Sequence, residues 1–411
     1  MLQNVTAPPA RRSLEFGIYR DGDNNLDAIQ ESTLSQALRT SRSDSRIEFT
    51  VEDTTRLRAD GDAVVTGSLH TEQYTISDGD VSRVHLARAH EMSDEANLAR
   101  FVAHTLDNAQ ASGARTTWID LVDHGGGDGG GLETRDGRVM SMPDIAKAIS
   151  DGVALHAKEH PEDFGRGIDG VVANQCLMDT MGFADALSQA GVKYLAASPE
   201  TMLAPGVPSG VAHAIASNAH DPDAMAKAIV NDVMRAKYDA GELDFGPAAA
   251  FDVLDLDPKK IAHAERSIKR LNDDVAAEAR DAGARAAVRQ DARSIEGMAR
   301  FPEATSDMPW RADRPAVAFY EKLASDARLS DRIRGDARDA AEAVRSLVLA
   351  HRESDDFKAF GGSDYSDAAG PTVHLPTSRR EIDPWASAGV TETDNAFYDA
   401  VDEDAMTRVI T

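Results

Sequence analysis

Short apolar runs punctuate the first 250 residues, at Leu14–Tyr19, Ile47–Glu52, Thr117–Val122, Gly170–Ala173 and Tyr194–Ala197. Runs of this length predict buried strands, whereas apolar residues recurring every three or four positions predict amphipathic helices. The second pattern fills the gaps, so strands and helices alternate. Such alternation predicts an α/β fold around a largely parallel sheet. Helices are expected at Leu26–Leu38, Pro143–Ile149 and Asp179–Ala190, the last ending at Gly191. Another is expected after a cap at Ser93, with Leu98, Phe101, Val102, Thr105 and Leu106 as its buried stripe. Ala63–Thr66 and Glu72–Ile76 read as the two arms of a β-hairpin between the second and third strands.

Beyond a further strand at Ala248–Leu256 the pattern becomes mainly helical. Asp257-Pro258 opens a run with Ile261, Ala264, Ile268, Leu271 and Val275 on one face, and Leu329–Ala350 repeats the pattern at Ile333, Ala337, Ala340, Val344 and Leu347. A closing strand is expected at Thr372–Leu375, before Pro376. The chain is thus divided into a flexible lead-in (1–12), an α/β domain (13–256) and a mainly helical C-terminal region (257–411), with no internal repeat. The last 31 residues hold eight acids and one Arg, net −7, and read as solvated surface.

Composition narrows the function. Among 411 residues, 44 Lys and Arg face 70 Asp and Glu, and 44 − 70 gives −26. This charge excludes a general nucleic-acid binder and disfavours anionic membranes. Residues 1–12 contain no apolar signal core, and nowhere do 18 apolar residues follow one another. The expectation is a cytoplasmic protein, or one whose leader was removed. The single cysteine, Cys176, excludes a disulfide framework and any cysteine-based zinc or iron–sulfur site.

Two strings sit where ligands bind in such folds, just past the carboxyl ends of strands. Asp123-His124-Gly125-Gly126-Gly127-Asp128-Gly129-Gly130-Gly131 follows one expected strand, and Asn174-Gln175-Cys176-Leu177-Met178 follows the next. If those strands are neighbours, a histidine and the only cysteine face each other. A thiol nucleophile needs a base and amide donors for the oxyanion. Glycine after His124 lets the Gly125 amide point inward, and a helix start would lend Cys176 its own N–H and a positive end. The competing readings are a small buried cysteine and a glycine string serving as a loop or anion nest. The string lacks the Lys-Ser/Thr of a phosphate loop and the GxGxxG order of a dinucleotide site. It is similar to a lipase oxyanion loop, yet no GxSxG elbow exists.

The other eleven histidines, among them His70, His104, His213 and His374, read as ordinary residues without metal-ligand partners. Asp21, Asp23, Asn25 and Asp27 hold the first positions of a calcium loop. Leu26 then stands for the required Gly and Ser32 for the bidentate Glu, so a capped helix start is the simpler reading. No metal or cofactor is expected, calcium being the subordinate alternative.

Together these strings resemble the clostripain family of cysteine peptidases, grouped with caspases, gingipains, legumain and separase. Tyr19-Arg20-Asp21-Gly22-Asp23-Asn24-Asn25-Leu26 resembles its opening Y-x-x-x-D-N-N-L segment, Asp123-His124-Gly125 its D-H-G block, and Asn174-Gln175-Cys176-Leu177-Met178 its D-A-C-L-M block. Ala197-Ser198-Pro199-Glu200 matches the S-x-E exit of the next strand, with Pro205-Gly206 after it, and Gly370–Pro376 is similar to a closing G-x-S-I-x-x-P strand. The resemblance implies a caspase-like three-layer α/β/α sandwich and a cysteine endopeptidase acting on peptide or protein substrates. It implies Cys176 as nucleophile, His124 as acid and base, and the Gly125 and Cys176 amides as oxyanion donors. Asn174, Ser198 and Glu200 would line the substrate pocket. Asn174 departs from the Asp of relatives that cut after Arg or Lys, which puts basic P1 preference in doubt, because charge-assisted pairs are about twice as strong as neutral ones. Relatives mature by cutting a loop, which makes exposed Arg135 and Arg138 the expected self-cleavage points. The alternative is a catalytically silent relative that binds a peptide in the same cleft.

Overall fold

The computed structural model of the chain describes residues 12–27, 32–56, 68–202, 206–235, 249–298, 309–353, 366–378, 381 and 395–411. The period-two alternation of the strands builds a nine-stranded sheet from β1 (Leu14–Gly22), β2 (Ile47–Arg56), β3 (Leu69–Ser77), β4 (Asp80–His85), β5 (Thr116–Val122), β6 (Gly170–Asn174), β7 (Tyr194–Ala197), β8 (Ala250–Asp255) and β10 (Val348–Glu353). Its order is β10-β8-β7-β6-β5-β1-β2-β3-β4. The five central strands, β7 to β2, are parallel, and the flanking pairs are antiparallel. A separate two-stranded ribbon joins β9 (Asp313–Pro315) to β11 (Thr372–His374).

Both faces of the sheet are covered, which is why its central strands read as near-continuous apolar runs. Leu14, Phe16 and Ile18 of β1 join Phe49, Trp118, Val172 and Ala196 in one core. That core is closed by α1 (Ser32–Ser43), α5 (Val211–Asn218) and α6 (Pro222–Arg235). Tyr19, Ile119, Leu121, Val171 and Leu195 face the other way, into a larger core. There they meet α2 (Glu95–Ser112), α3 (Met142–Glu159), α4 (Met181–Gln189), α7 (Pro258–Glu278), α8 (Ala282–Ser294), α9 (Ala316–Ser325) and α10 (Asp331–Arg345). The result is the expected α/β/α sandwich. Residues 257–411 do not stand apart, since β10 extends the main sheet and their helices share the larger core.

Several expectations shift. The hairpin is β3–β4, turning at Asp78-Gly79, and Ala63–Thr66 lies outside the described residues. The cap of α2 is Asp94, whose carboxylate accepts from the Ala96 amide at 2.8 Å, one residue beyond Ser93. The helix expected to run to Ala350 stops at Arg345, and Val348–Glu353 forms an edge strand instead. The acidic tail is not simply solvated surface. Its described residues 395–411 fold into α11 (Ala396–Val401) and α12 (Glu403–Ile410), which bury Phe397, Tyr398, Val401, Met406, Val409 and Ile410 in the larger core.

Candidate active site

Adjacency of β5 and β6 puts both chemical strings at one edge of the sheet, Val122 lying opposite Asn174. His124 and Cys176 line a common cavity of about 440 Å³, whose walls include Gly125, Gly131, Glu133, Leu177 and Thr201. The glycine string folds back on itself. Gly126 N–H donates to Gly130 at 2.9 Å and Leu132 N–H donates to His124 at 3.3 Å. Gln175 Nε2 donates to the His124 carbonyl at 2.9 Å and pins this loop to the cysteine strand. Gly125 packs so closely that a Cβ there would lie 2.3 Å from the Cys176 carbonyl oxygen. Its N–H has no partner among the described residues, which leaves a free donor beside the thiol.

The nucleophile candidate sits in a tight turn, because Leu177 adopts the left-handed backbone (φ 66°). For a branched residue such backbone is strained and occurs mostly where the surrounding structure imposes it. Here Leu177 N–H donates to the Glu200 carbonyl at 3.1 Å and holds the turn. Helix α4 begins only at Met181, capped by Thr180. Cys176 is therefore five residues short of the helix, and the expected help from a helix dipole falls away, since that effect fades within one turn. The sulfur instead accepts from the Met202 N–H at 3.3 Å. Burial pushes the Cys176 thiol up, and the negative Glu200 adds to this against the opposing Met202 N–H.

His124 is held by Asn25. Its Nε2 lies 2.7 Å from Asn25 Oδ1. An amide oxygen accepts, so Nε2 carries the hydrogen and Nδ1 is left as the basic nitrogen. Burial pushes the imidazole below its ordinary value, opposed by Glu133. Both shifts push toward the neutral forms, thiol and imidazole. Beneath them, Asp123 accepts from Asn24 Nδ2 at 2.5 Å. Burial, then the nearby Asp21 carboxylate, push Asp123 well above the carboxylate range. The sequence places Asn25 in the calcium-like string and the opening segment but gives it no role beside His124; its position just after an expected strand is the available signal.

The expected pocket residues serve other contacts. Asn174 is buried, its amide spanning Val207 by accepting from the N–H (2.6 Å) and donating to the carbonyl (3.1 Å), with Asp120 at 3.5 Å. Ser198 Oγ accepts from the Glu200 amide at 3.1 Å and donates to the Ala250 carbonyl at 2.7 Å. Glu200 is buried and accepts from the Thr201 amide at 3.2 Å. None of the three lines the cavity. Pro205 lies outside the described residues. Arg135 and Arg138 are exposed, in a loop flanked by the cavity residues Glu133 and Val139; Arg138 pairs with Glu91 at 2.6 Å. The calcium-like residues do not converge. Asp21 accepts from the Asp23 amide, Asn25 meets His124, and Asp27 pairs with Arg20 at 3.2 Å. Histidines do gather elsewhere. His156 and His160 lie with Asp107, so the reading that no histidine has partners at ligand spacing does not hold for them. Their i, i+4 spacing at the end of α3 was legible.

No protein-family model and no curated protein matches the chain. Among solved structures it is similar to the inactive zymogen of a C11 protease from Parabacteroides distasonis, at 13% identity and TM-score 0.60, over 96% of this chain and 99% of that one. It is also similar to a secreted C11 cysteine protease from Bacteroides thetaiotaomicron in complex with an irreversible peptide inhibitor, at 14% and 0.63, over 96% and 100%. A further structure of a secreted C11 cysteine protease from that organism, "iotapain", gives 14% and 0.60 over 95% and 100%. The chain therefore has the clostripain-type fold. No described helix is long and apolar enough to cross a membrane.

Proposed function

We propose that the chain is a cysteine endopeptidase working through Cys176 and His124. One observation carries the reading: the only thiol and a histidine with an oriented ring share a cavity with the Gly125 amide, which has no partner among the described residues. A binding cleft needs none of the three together. In this mechanism a peptide displaces the Met202 contact, and Cys176 Sγ adds to the scissile carbonyl carbon as its proton passes to His124. The oxygen gains negative charge against the Gly125 and Cys176 amides, preorganised donors of the kind that dominate acyl transfer. His124 then gives the proton to the departing amine, the C–N bond breaks, and water attacks the thioester with His124 as base. Asn25 is a positioning residue that fixes the imidazole tautomer.

Basic P1 selectivity is not part of this proposal. The Asn174 amide is neutral and already engaged with Val207 at both ends. Cleavage of fluorogenic peptides differing only at P1 tests this, with Cys176→Ala as the blank. Turnover at several P1 residues is expected, and turnover confined to Arg or Lys contradicts the assignment. Self-cleavage at Arg135 or Arg138 goes with the opposite outcome. The competing reading, a silent peptide-binding relative, draws on the up-shifted thiol that Met202 holds. Peptide binding without turnover, unchanged in Cys176→Ala, would establish it.

A further inference from the structure

Gly152 packs α3 tightly against α2, since a Cβ there would meet the Ala99 carbonyl at 2.5 Å and Val102 at 2.6 Å. One turn later His156 points at α2 and reaches Asp107, Nδ1 to Oδ1 2.7 Å. A further turn on, His160 brings Nε2 to 3.4 Å from the same oxygen. Three donor atoms from two helices thus converge within 4.8 Å of one another. His156 is buried, while His160 and Asp107 are half-buried, so the site is anchored yet reachable.

Carboxylates orient both rings from behind. His156 Nε2 lies 3.3 Å from Asp163 Oδ2, and His160 Nδ1 lies 3.3 Å from Glu162 Oε1. Gln110 Nε2 holds Glu162 at 2.8 Å, and Arg166 pairs with Asp163. At 2.7 Å the His156–Asp107 contact is itself a hydrogen bond, Nδ1–H donating to Oδ1. A metal ion would take the place of that proton while the outer carboxylate accepts the remaining ring N–H, the usual support of a metal-bound histidine. Charge points the same way. The Asp107, Glu162 and Asp163 carboxylates gather around the two rings, with Arg166 paired to Asp163.

We propose that Asp107, His156 and His160 bind a divalent transition metal of the Zn²⁺ class, with water completing a tetrahedral set. Imidazole with carboxylate suits zinc and its neighbours rather than calcium or magnesium. Donors at about 2.0–2.1 Å from a tetrahedral ion lie about 3.3 Å apart. The His160–Asp107 separation of 3.4 Å already meets this, and the His156–Asp107 pair must open by about 0.6 Å or use the other carboxylate oxygen. The ion would clamp the end of α3 onto α2. Both elements lead into the amino ends of β6 and β5, whereas Cys176 and His124 follow their carboxyl ends, so its role here is structural.

The test uses the full chain carrying Cys176→Ser, which removes the competing thiol, after stripping with a chelator. Co²⁺ titration followed by visible absorption should show one tetrahedral equivalent that Zn²⁺ displaces, and Zn²⁺ should raise Tm. His160→Gln, at a half-buried position, should weaken binding at least tenfold and abolish the Tm shift. Asp163→Asn should weaken it about tenfold, as loss of an orienting partner does. No saturable one-to-one binding, or equal binding by a folded His160→Gln variant, overturns the proposal.

Discussion

Asp21→Asn tests how the site loop is held. Asp21 is fully buried at the end of β1. One oxygen accepts from the Asp23 amide at 2.8 Å and the other has no hydrogen-bond partner among the described residues. Burial, reinforced by nearby Asp23 and Glu91, pushes its carboxyl from 3.8 up to about 7. A raised native value means the folded state holds the proton more tightly. Its stabilising contribution is fully present below pH 3.8 and is lost as pH rises to about 7. At about 1.36 kcal/mol for each tenfold change in affinity, the whole span is about 4 kcal/mol, of which roughly 2–3 kcal/mol is lost between pH 5 and pH 8. Asparagine keeps the Asp23 hydrogen bond and cannot ionise. Relieving the like charge near Asp123 acts in the same direction. Urea unfolding with EDTA at a series of pH values, wild type against variant, isolates the effect. The variant should gain on wild type by roughly 2–3 kcal/mol from pH 5 to pH 8. A difference flat within about 0.5 kcal/mol would refute a buried, proton-holding Asp21.

Other consequences follow from single contacts. Gly125→Ala forces a Cβ to 2.3 Å from the Cys176 carbonyl oxygen; kcat should fall about 10²–10³-fold, as with loss of an oxyanion donor, with about 1–3 kcal/mol of destabilisation from overpacking. Activity and thermal unfolding of the one variant separate the two. Because burial raises the resting Cys176 thiol above its ordinary 9.0, iodoacetamide labelling should climb through pH 9; a plateau by pH 7 would contradict a neutral resting thiol. Phe397→Ala should cost about 3–5 kcal/mol in denaturant unfolding, since Phe397 is fully buried, and a near-neutral change would mean the C-terminal helices do not belong to the core.

What was legible in the sequence followed the strength of local signals. The central strands are covered on both faces, so their apolar runs stood out. Both chemical strings were found because they directly follow such strands. The edges were harder. Val348–Glu353 was absorbed into a helix because Val344 and Leu347 extend the three-four spacing, although α10 ends at Arg345. In the tail, net charge hid a periodicity that was present: the acids lie around a buried stripe of Phe397, Val401, Ala405, Val409 and Ile410. Helix α5, with no side-chain cap to frame it, went unread. Helix α6 went unread although it carries a start signal, Asp221 accepting from the Ala224 amide at 3.0 Å with Pro222 as the first helical residue. Contacts across the fold were beyond reach. Nothing local ties Asn25 to His124, 99 positions away, or Asn174 to Val207. The Asp107 contribution to the histidine pair likewise depends on how closely α2 and α3 pack.

The central claim is that Cys176 is a nucleophile served by His124. Intact-mass spectrometry after incubation with a panel of irreversible peptide inhibitors differing at P1 tests it directly. The predicted result is one covalent adduct, mapped to Cys176, absent in Cys176→Ala and strongly slowed in His124→Ala, with peptidase turnover lost in parallel. Peptidase turnover that persists in Cys176→Ala, or a folded protein that binds these peptides yet never forms the adduct, would contradict it.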